Sequence, residues 1–368
     1  MKVTLVRSRA IDPAINKVAK ALSENGYDVK LLVWDRSGNK NTENIDGYTI
    51  HRFGFKAPHD KLSIVFYLPI WWSYELFFLL RQKNEIIHVC DLDTLIPAII
   101  AKKLKKTKLY YTIYDFCADN LPNKFPNTLR DFVTFLEIVG IKFSDVLFLV
   151  DECRLQQVKK AKIKSLVYIY NTPPDYFKTR LTNYSTTGEE LRIFYAGLLH
   201  KSRGLEYILR AIRDVNNVKL VVAGTGPNKH LFENSFPDAE NKIQYIGQIS
   251  YKDVIEKTIE SDLLFAFYDP TVPNNKYASP NKLFEAMMCG KPILMNSEVA
   301  ASKIILEEKC GIVVPYGDVD AIKEAINRLK KEPNLRKELG ENGRNVYEKK
   351  YSWKIMEKRL LNAYKIPD

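Results

Sequence analysis

Hydrophobic positions in this chain follow two rhythms: short apolar runs, and longer stretches in which they recur every three or four residues. VTLVR (3–7) is the first run and reads as a buried strand. Asp12-Pro13 then opens a helix, with Ile15, Val18, Ala19 and Leu22 on one face and Gly26 as its stop. Further runs follow at 28–34, 48–53, 86–90, 109–113, 145–150 and 166–170, with helical periodicity between most of them. Strands without polar alternation are covered on both faces, so the pattern predicts a parallel sheet with helices on each side.

The rhythm breaks at 171–190, NTPPDYFKTRLTNYSTTGEE, which is rich in Pro, Thr, Asn and Ser and reads as a linker. A second series begins at 191–197 and continues at 218–224, 243–247, 262–267, 292–295 and 311–314, with a helical end from about 318. The expected fold is α/β: two doubly wound, Rossmann-like domains, 1–175 and 190–350, facing across a cleft. Residues 351–368 are expected to form a C-terminal helix that packs back toward the first domain.

One stretch departs from both rhythms. LSIVFYLPIWWSYELFFLL (62–80) holds a single acid, Glu75, and a proline at 69. Its length is marginal for a membrane span, and Pro69, Ser73, Tyr74 and Glu75 interrupt it, so a span is rejected. Two readings stay open: a core helix, or a helix that dips into a bilayer surface with Trp71 and Trp72 at the interface.

Charge adds to this picture. The net charge is +12, concentrated in KKLKKTK (102–108) and KKAKIK (159–164). Each run is either the solvated end of a helix or a contact for anionic lipid or nucleic acid. No nucleic-acid recognition motif accompanies them. Five cysteines without metal spacing read as free thiols in a reducing compartment, and the five histidines form no HxxxH pair. Met1-Lys2 runs straight into a strand and resembles no secretory signal, so the expected location is cytoplasmic, with 62–80, 102–108 and 159–164 predicting reversible attachment to an anionic membrane face.

The candidate chemistry lies where strands give way to helices. In YASPNKLFEAMMCGKPIL (277–294), Ser279 is the expected cap, Pro280 the first helical residue and Gly290 the exit. Lys282 and Glu285 share one face of that helix. They form either an exposed salt bridge, worth ~0–1 kcal/mol, or a ligand site at a helix N-terminus that suits phosphate. GLLHKSRGLEYILRAI places Gly197, Lys201 and Arg203 before a second helix start, and GTGPNKHLFE places Gly224, Gly226 and Pro227 before a third. The alternation brings all three loops to one sheet edge. In the first series His88 and Asp91 end one strand and Asp115 follows the next. His88 is either a hydrogen-bonded core histidine or a catalytic group.

These segments, in this order and at these spacings, resemble the retaining GT-B-fold glycosyltransferases of family 4, the glycosyl transferases group 1. The motifs are YAGLLHKSRGLEYILRAI, LVVAGTGPNKHLFE, YIGQIS and SPNKLFEAMMCGKPIL, with IIHVCDLDTLIPAIIAKKLKK and LYYTIYDFCADN in the first half. The resemblance covers nearly the full chain. It implies transfer of a sugar from a nucleoside diphosphate sugar to a glycan or lipid-linked acceptor hydroxyl. Retention is implied with it; no cofactor is expected, and no metal either, because Arg203, Lys201, Lys282 and two helix N-termini supply positive charge in the second half while the paired acids of DLD lie in the first.

The resemblance also assigns roles. Glu285 would hold the ribose hydroxyls, and Arg203, with Lys201 and the loop begun by Gly197, the diphosphate. Asn281, Lys282 and Leu283 would meet the distal phosphate and sugar. Tyr245 and Ile246 would border the base, with Gly226 at close backbone approach. Asp115 and His88 are the catalytic candidates on the acceptor side, Arg203 and Lys282 on the donor side. Tyr277 stands where the family often has a first glutamate, Leu198 where it has an arginine, and Tyr114-Asp115 where many members have a histidine and an acid. The DLD at 91–93 looks like another fold's paired metal-binding aspartates, but Asp93 reads more simply as a helix cap. The alternative functions are a nucleotide-sugar-binding protein and a GT-B epimerase, both without transfer.

Overall fold

The computed structural model describes residues 1–10, 12–58, 63–121, 125–175, 190–233 and 242–365. Residue 62 of the apolar stretch and most of the expected linker lie outside the described residues. The chain divides into two units, Met1–Tyr170 with Met356–Asp368, and Asn171–Ile355.

The first unit runs β1 (Lys2–Arg7), α1 (Pro13–Glu24), β2 (Asp28–Trp34), β3 (Thr42–Ile45), β4 (Tyr48–Phe53), α2 (Leu68–Arg81), β5 (Ile86–Cys90), α3 (Leu92–Lys105), β6 (Lys108–Ile113), α4 (Asn127–Ile141), β7 (Val146–Leu149) and β8 (Leu166–Tyr168). Its sheet has the order β3-β4-β2-β1-β5-β6-β7-β8. The ladders are parallel, as in Leu5↔Leu31 and Leu5↔His88, except for the β3–β4 hairpin. That hairpin turns on Asp46 and Gly47, both at positive φ, the geometry Asp-Gly favours. The sequence pattern did not show β3, whose TENI is mostly exposed.

Helix α1 starts as expected: the Asp12 carboxylate accepts from the Ala14 N–H and Pro13 occupies the first turn. Ile15, Val18, Ala19 and Leu22 form its buried face. Trp71, Phe78 and Leu79 of α2, Leu95, Ala98 and Ala101 of α3 and Ile141 of α4 pack in one core with Val89, Leu109, Tyr111 and Leu147 of the sheet. Thus α2 is a core helix on one face, while Ile70, Phe77 and Leu80 on the other are exposed. Among the described residues no helix is long and apolar enough to cross a membrane.

The second unit runs β9 (Leu191–Ala196), α5 (Leu205–Arg213), β10 (Val218–Ala223), α6 (His230–Glu233), β11 (Ile243–Tyr245), α7 (Tyr251–Glu260), β12 (Leu263–Ala266), α8 (Pro273–Lys276), α9 (Asn281–Met288), β13 (Ile293–Asn296), α10 (Ser302–Glu308), β14 (Gly311–Val314), α11 (Val319–Lys331), α12 (Pro333–Val346) and the start of α13 (Trp353–Tyr364). All ladders are parallel, in the order β11-β10-β9-β12-β13-β14. Strand order reverses between β9 and β12, which opens a crevice beyond their carboxyl ends.

The start of the expected linker is packed: Tyr347 Oη donates to the Pro173 carbonyl at 2.7 Å, and Arg344 pairs with Asp175 at 2.6 Å. From Met356 onward α13 belongs to the first unit, burying Met356, Leu360, Ala363 and Tyr364 there.

Candidate functional site

A pocket of about 480 Å³ opens at the switch between β9 and β12. Its wall comes from Ala196–Leu198 after β9, Ala223–Thr225 after β10, Gln248 and Ile249 after β11, Tyr251 and Val254 on α7, and Asn281, Lys282 and Glu285 at the start of α9. Three of the loops marked by the sequence therefore converge.

Two glycines allow this convergence. A Cβ on Gly224 (φ +129°) would stand 1.9 Å from the Gly197 carbonyl oxygen. One on Gly197 (φ +152°) would stand 2.8 Å from Lys282 Nζ. What comes close to the second glycine loop is thus the first loop. Gly226 likewise backs onto the Leu199 carbonyl, 2.3 Å from where its Cβ would be, and does not line the pocket. Leu199 N–H bonds the Thr225 carbonyl at 2.9 Å and Gly224 N–H the Gly247 carbonyl at 2.7 Å, so the loops lock in series.

Helix α9 begins one residue later than expected. Pro280 takes the N-cap position, and no side chain caps the helix there. Lys282 places its ammonium 4.4 Å from the centre of the Tyr195 ring. Burial pulls its pKa down to about 8, with Glu285 opposing and Arg203 assisting. Glu285 is buried on the next turn. Leu283, also a candidate, points into the core, and only its backbone belongs to the helix start.

Arg203 lies in the turn Lys201–Arg203, which is bounded by His200 and by Gly204 at positive φ. Its guanidinium lies 4.3 Å from the Tyr268 ring centre, and its buried Nη1 has no hydrogen-bond partner. Lys201 in the same turn is exposed; neither it nor Arg203 is in the pocket wall, and Arg203 is tied to the site by its effect on Lys282. Burial and the charges of Arg203 and Lys201 hold His200 below the usual histidine range. The fully buried Asn296 fixes the Tyr268 backbone on both sides: Tyr268 N–H donates to its Oδ1 at 2.8 Å, and its Nδ2 donates to the Tyr268 carbonyl at 3.1 Å.

Tyr245 and Ile246 are not in the pocket wall. The Tyr245 ring packs against the core, 6.4 Å from Phe232, and its hydroxyl donates to the Gly224 carbonyl at 2.9 Å. Gln248, Ile249, Tyr251 and Val254 line that side instead. YIGQIS was noted as a motif, but its two pocket-facing residues lie just beyond the pair singled out. Tyr277 closes the short α8 and is not in the wall either.

In the first unit His88 lies in the core. Its Nδ1 meets Tyr364 Oη and its Nε2 meets Thr112 Oγ1, both at 2.6 Å, and burial lowers its pKa to about 3. Both ring nitrogens are thus engaged, as in a core histidine. Asp91, and not Asp93, is the N-cap residue of α3, and its side chain does not cap the helix. Its carboxylate instead pairs with Arg7 and accepts from the N–H groups of Tyr114 (2.8 Å) and Asp115 (3.2 Å). Asp93 accepts from Ser8. Asp115 is partly exposed and pairs with the buried Arg154 at 3.4 Å. The turn after it is held by Glu137, which accepts from Cys117 N–H at 3.0 Å and Tyr111 Oη at 2.9 Å. Among the described residues no cluster of three or more His, Cys, Asp or Glu has a metal-binding arrangement.

Residues 182–346 match the family described as Glycosyl transferases group 1. Two uncharacterized glycosyltransferases of Methanocaldococcus jannaschii are similar over the whole chain. One is 22% identical over 95% of this chain and 92% of its own length, the other 23% over 96% and 94%. Among solved structures, sucrose-phosphate synthase from Thermosynechococcus elongatus superposes with a TM-score of 0.80 at 16% identity, covering 99% of this chain and 98% of that one. The Anabaena protein HepE, solved in complex with UDP and glucose, superposes at 0.72 with 13% identity over the full length of both. The match to that family thus falls in the second unit, and the chain has the two-unit Rossmann-like fold of the GT-B glycosyltransferases.

Proposed function

We propose that the protein is a glycosyltransferase that binds a nucleoside diphosphate sugar in the second-unit pocket and passes the sugar to an acceptor hydroxyl. One observation carries the donor reading. Arg203, with a buried unpartnered nitrogen, lies close enough to Lys282 to depress that ammonium, beside the uncapped start of α9. Two cations held together and partly desolvated are costly until an anion joins them. A diphosphate supplies that anion, and Glu285 one turn along suits a ribose diol. Retention, metal independence and a glycan or lipid-linked acceptor are part of the proposal. Support for the donor class comes from the UDP and glucose complex of the Anabaena neighbour, and for the acceptor class from a Corynebacterium glutamicum relative named as a GDP-mannose-dependent phosphatidylinositol monomannoside mannosyltransferase.

In this scheme Arg203, Lys282 and the α9 N-terminus stabilise charge on the departing diphosphate. The first unit offers Asp115 on the acceptor side. Tyr277, in place of an acid, favours a second reading in which the protein binds a nucleotide sugar without turning it over. A thermal-shift screen with uridine and guanosine diphosphate sugars tests the site. A ligand at 100 times its Kd stabilises by about 2.7 kcal/mol. Hydrolysis of the bound donor, or transfer from it, then separates enzyme from binding protein. No shift with any nucleoside diphosphate sugar defeats both readings.

A further inference from the structure

The first unit carries a second surface that the donor reading does not use. Helices α2, α3 and α4 pack side by side in one layer, and each turns large apolar side chains away from the core. Ile70, Phe77 and Leu80 make the stripe on α2, with Phe77 52% exposed. Ile100 and Leu104 make the one on α3, with Leu104 66% exposed. Phe132, Phe135 and Val139 make the one on α4, with Phe135 60% exposed. All three recur at helical spacing. Apolar surface spread over three neighbouring helices is more than isolated exposure and marks an interaction site.

Its charge is predominantly basic. The C-termini of α2, α3 and α4 lead into the parallel strands β5, β6 and β7, so they gather at one edge of the unit. That edge carries Arg81, Lys103, Lys105, Lys106 and Lys142; against them stand Glu85, which accepts from the Lys2 backbone N–H, and Asp145, which is paired with Lys102 and Lys164, while Asp131 is the one exposed acid on the three helices. The Arg81 guanidinium lies 4.1 Å from the Phe77 ring centre and the Lys103 ammonium 4.7 Å from that of Phe143. Their stems thus lie along apolar surface with the charged heads at its margin, the posture of side chains at a bilayer interface. Beside the end of α2 a small cavity of about 180 Å³ is bordered by Lys2, Lys30, Arg81 and Lys83, with Asp28 as its acid.

We infer that this face docks on an anionic lipid bilayer, the apolar stripes entering the acyl boundary and the basic edge meeting headgroup phosphates. Charge complementarity selects this occupant. A second copy would bring the same basic edge and, on these three helices, only Asp131 as an exposed acid to face it, whereas anionic headgroups neutralise it. Neither basic edge nor apolar stripe is sufficient alone, since stable peripheral attachment takes two signals. The inference uses no residue of the second unit and stands apart from the donor reading.

Flotation of the full chain at low ionic strength tests it, with vesicles of phosphatidylcholine alone and of phosphatidylcholine with one third phosphatidylglycerol. The protein is expected to float with the anionic vesicles at least about tenfold better than with the neutral ones. Phe132→Ser with Phe135→Ser, and separately Lys103→Glu with Lys106→Glu, should each lower that partition about tenfold or more. All four side chains are exposed, and unchanged melting temperatures would confirm that the variants fold. Protein that stays in solution with anionic vesicles overturns the inference. So does binding that neither double variant weakens, or a dimer in the absence of vesicle binding that the phenylalanine variant dissolves.

Discussion

The ammonium of Lys282 stands 4.4 Å from the centre of the Tyr195 ring and 2.8 Å from where a Cβ on Gly197 would be. The cation therefore rests on an aromatic face beside bare backbone, with the buried Glu285 carboxylate as the charge that favours it and Arg203 as the one that opposes it.

This arrangement costs the free protein stability. The Lys282 pKa is lowered by burial to about 8 from an ordinary 10.5. Between those values the unfolded chain binds more protons than the folded one, so this contribution to stability rises with pH across the window. Lys282→Met should raise stability at neutral pH by up to about 3 kcal/mol and abolish nucleotide-sugar binding. Chemical denaturation beside calorimetry checks both. A less stable variant would mean that the lysine is structural.

The same shift sets a pH profile for binding. Donor affinity should fall as the pH is raised through about 8 and the free ammonium loses its proton. Lys282→Arg should flatten the profile, because guanidinium stays charged. Titration calorimetry from neutral to alkaline pH distinguishes the two proteins.

Glu285 is buried on the same helix start. Glu285→Gln keeps its volume and removes its charge. Affinity for the nucleoside diphosphate should drop by roughly tenfold to a hundredfold, the loss of a charged hydrogen-bond partner at ~1.5–3 kcal/mol. An unchanged affinity would leave Glu285 as a structural carboxylate.

Arg203→Ala should slow transfer by about 100-fold or more, and Arg203→Lys should not restore it, because the flat guanidinium stacked on Tyr268 has no ammonium equivalent. Transfer should persist in excess chelator. Activity that disappears with chelator and returns with manganese or magnesium would overturn the proposed role of the two cations.

His88 gives a prediction of the opposite kind. Its pKa is lowered to about 3 by burial, so between that value and 6.5 the unfolded chain takes up the extra proton. Stability should fall as the pH drops through this range, by as much as about 4 kcal/mol at the acid end. His88→Asn should remove much of that slope and leave donor affinity unchanged. A variant that folds and binds donor but fails in transfer would return His88 to catalysis.

The parts legible in the sequence share a cause. Val3, Leu5 and Val6 announce a strand because helices cover both faces of it. Lys282 and Glu285 announced a site because charge on a largely buried helix is costly without a purpose. By contrast β3 has polar, exposed residues at a sheet edge, and only its Asp46-Gly47 turn carries a signal. Tyr245 was placed at the base site from its position in a motif, yet pleating turns its ring to the core. Gln248, Ile249, Tyr251 and Val254 reach the pocket through the ladder between β10 and β11, a non-local relationship with no mark in their own composition. The orphaned nitrogen of Arg203 is likewise a property of packing.

The Tyr364 hydroxyl that meets His88 lies 276 residues after it in the chain, while the strand that holds His88 is made from residue 86 onward. A ribosome synthesises the whole sheet of the first unit, and then the entire second unit, before it releases the segment that covers His88 and Tyr110. Until then the nascent first unit exposes a histidine lacking one of its two partners and aromatic surface that α13 would cover. Its native packing is therefore delayed until residues 356–364 have been made. A fragment ending at Tyr170 should melt well below the full protein and regain stability when a peptide of 353–365 is added; equal melting with and without the peptide would refute this dependence.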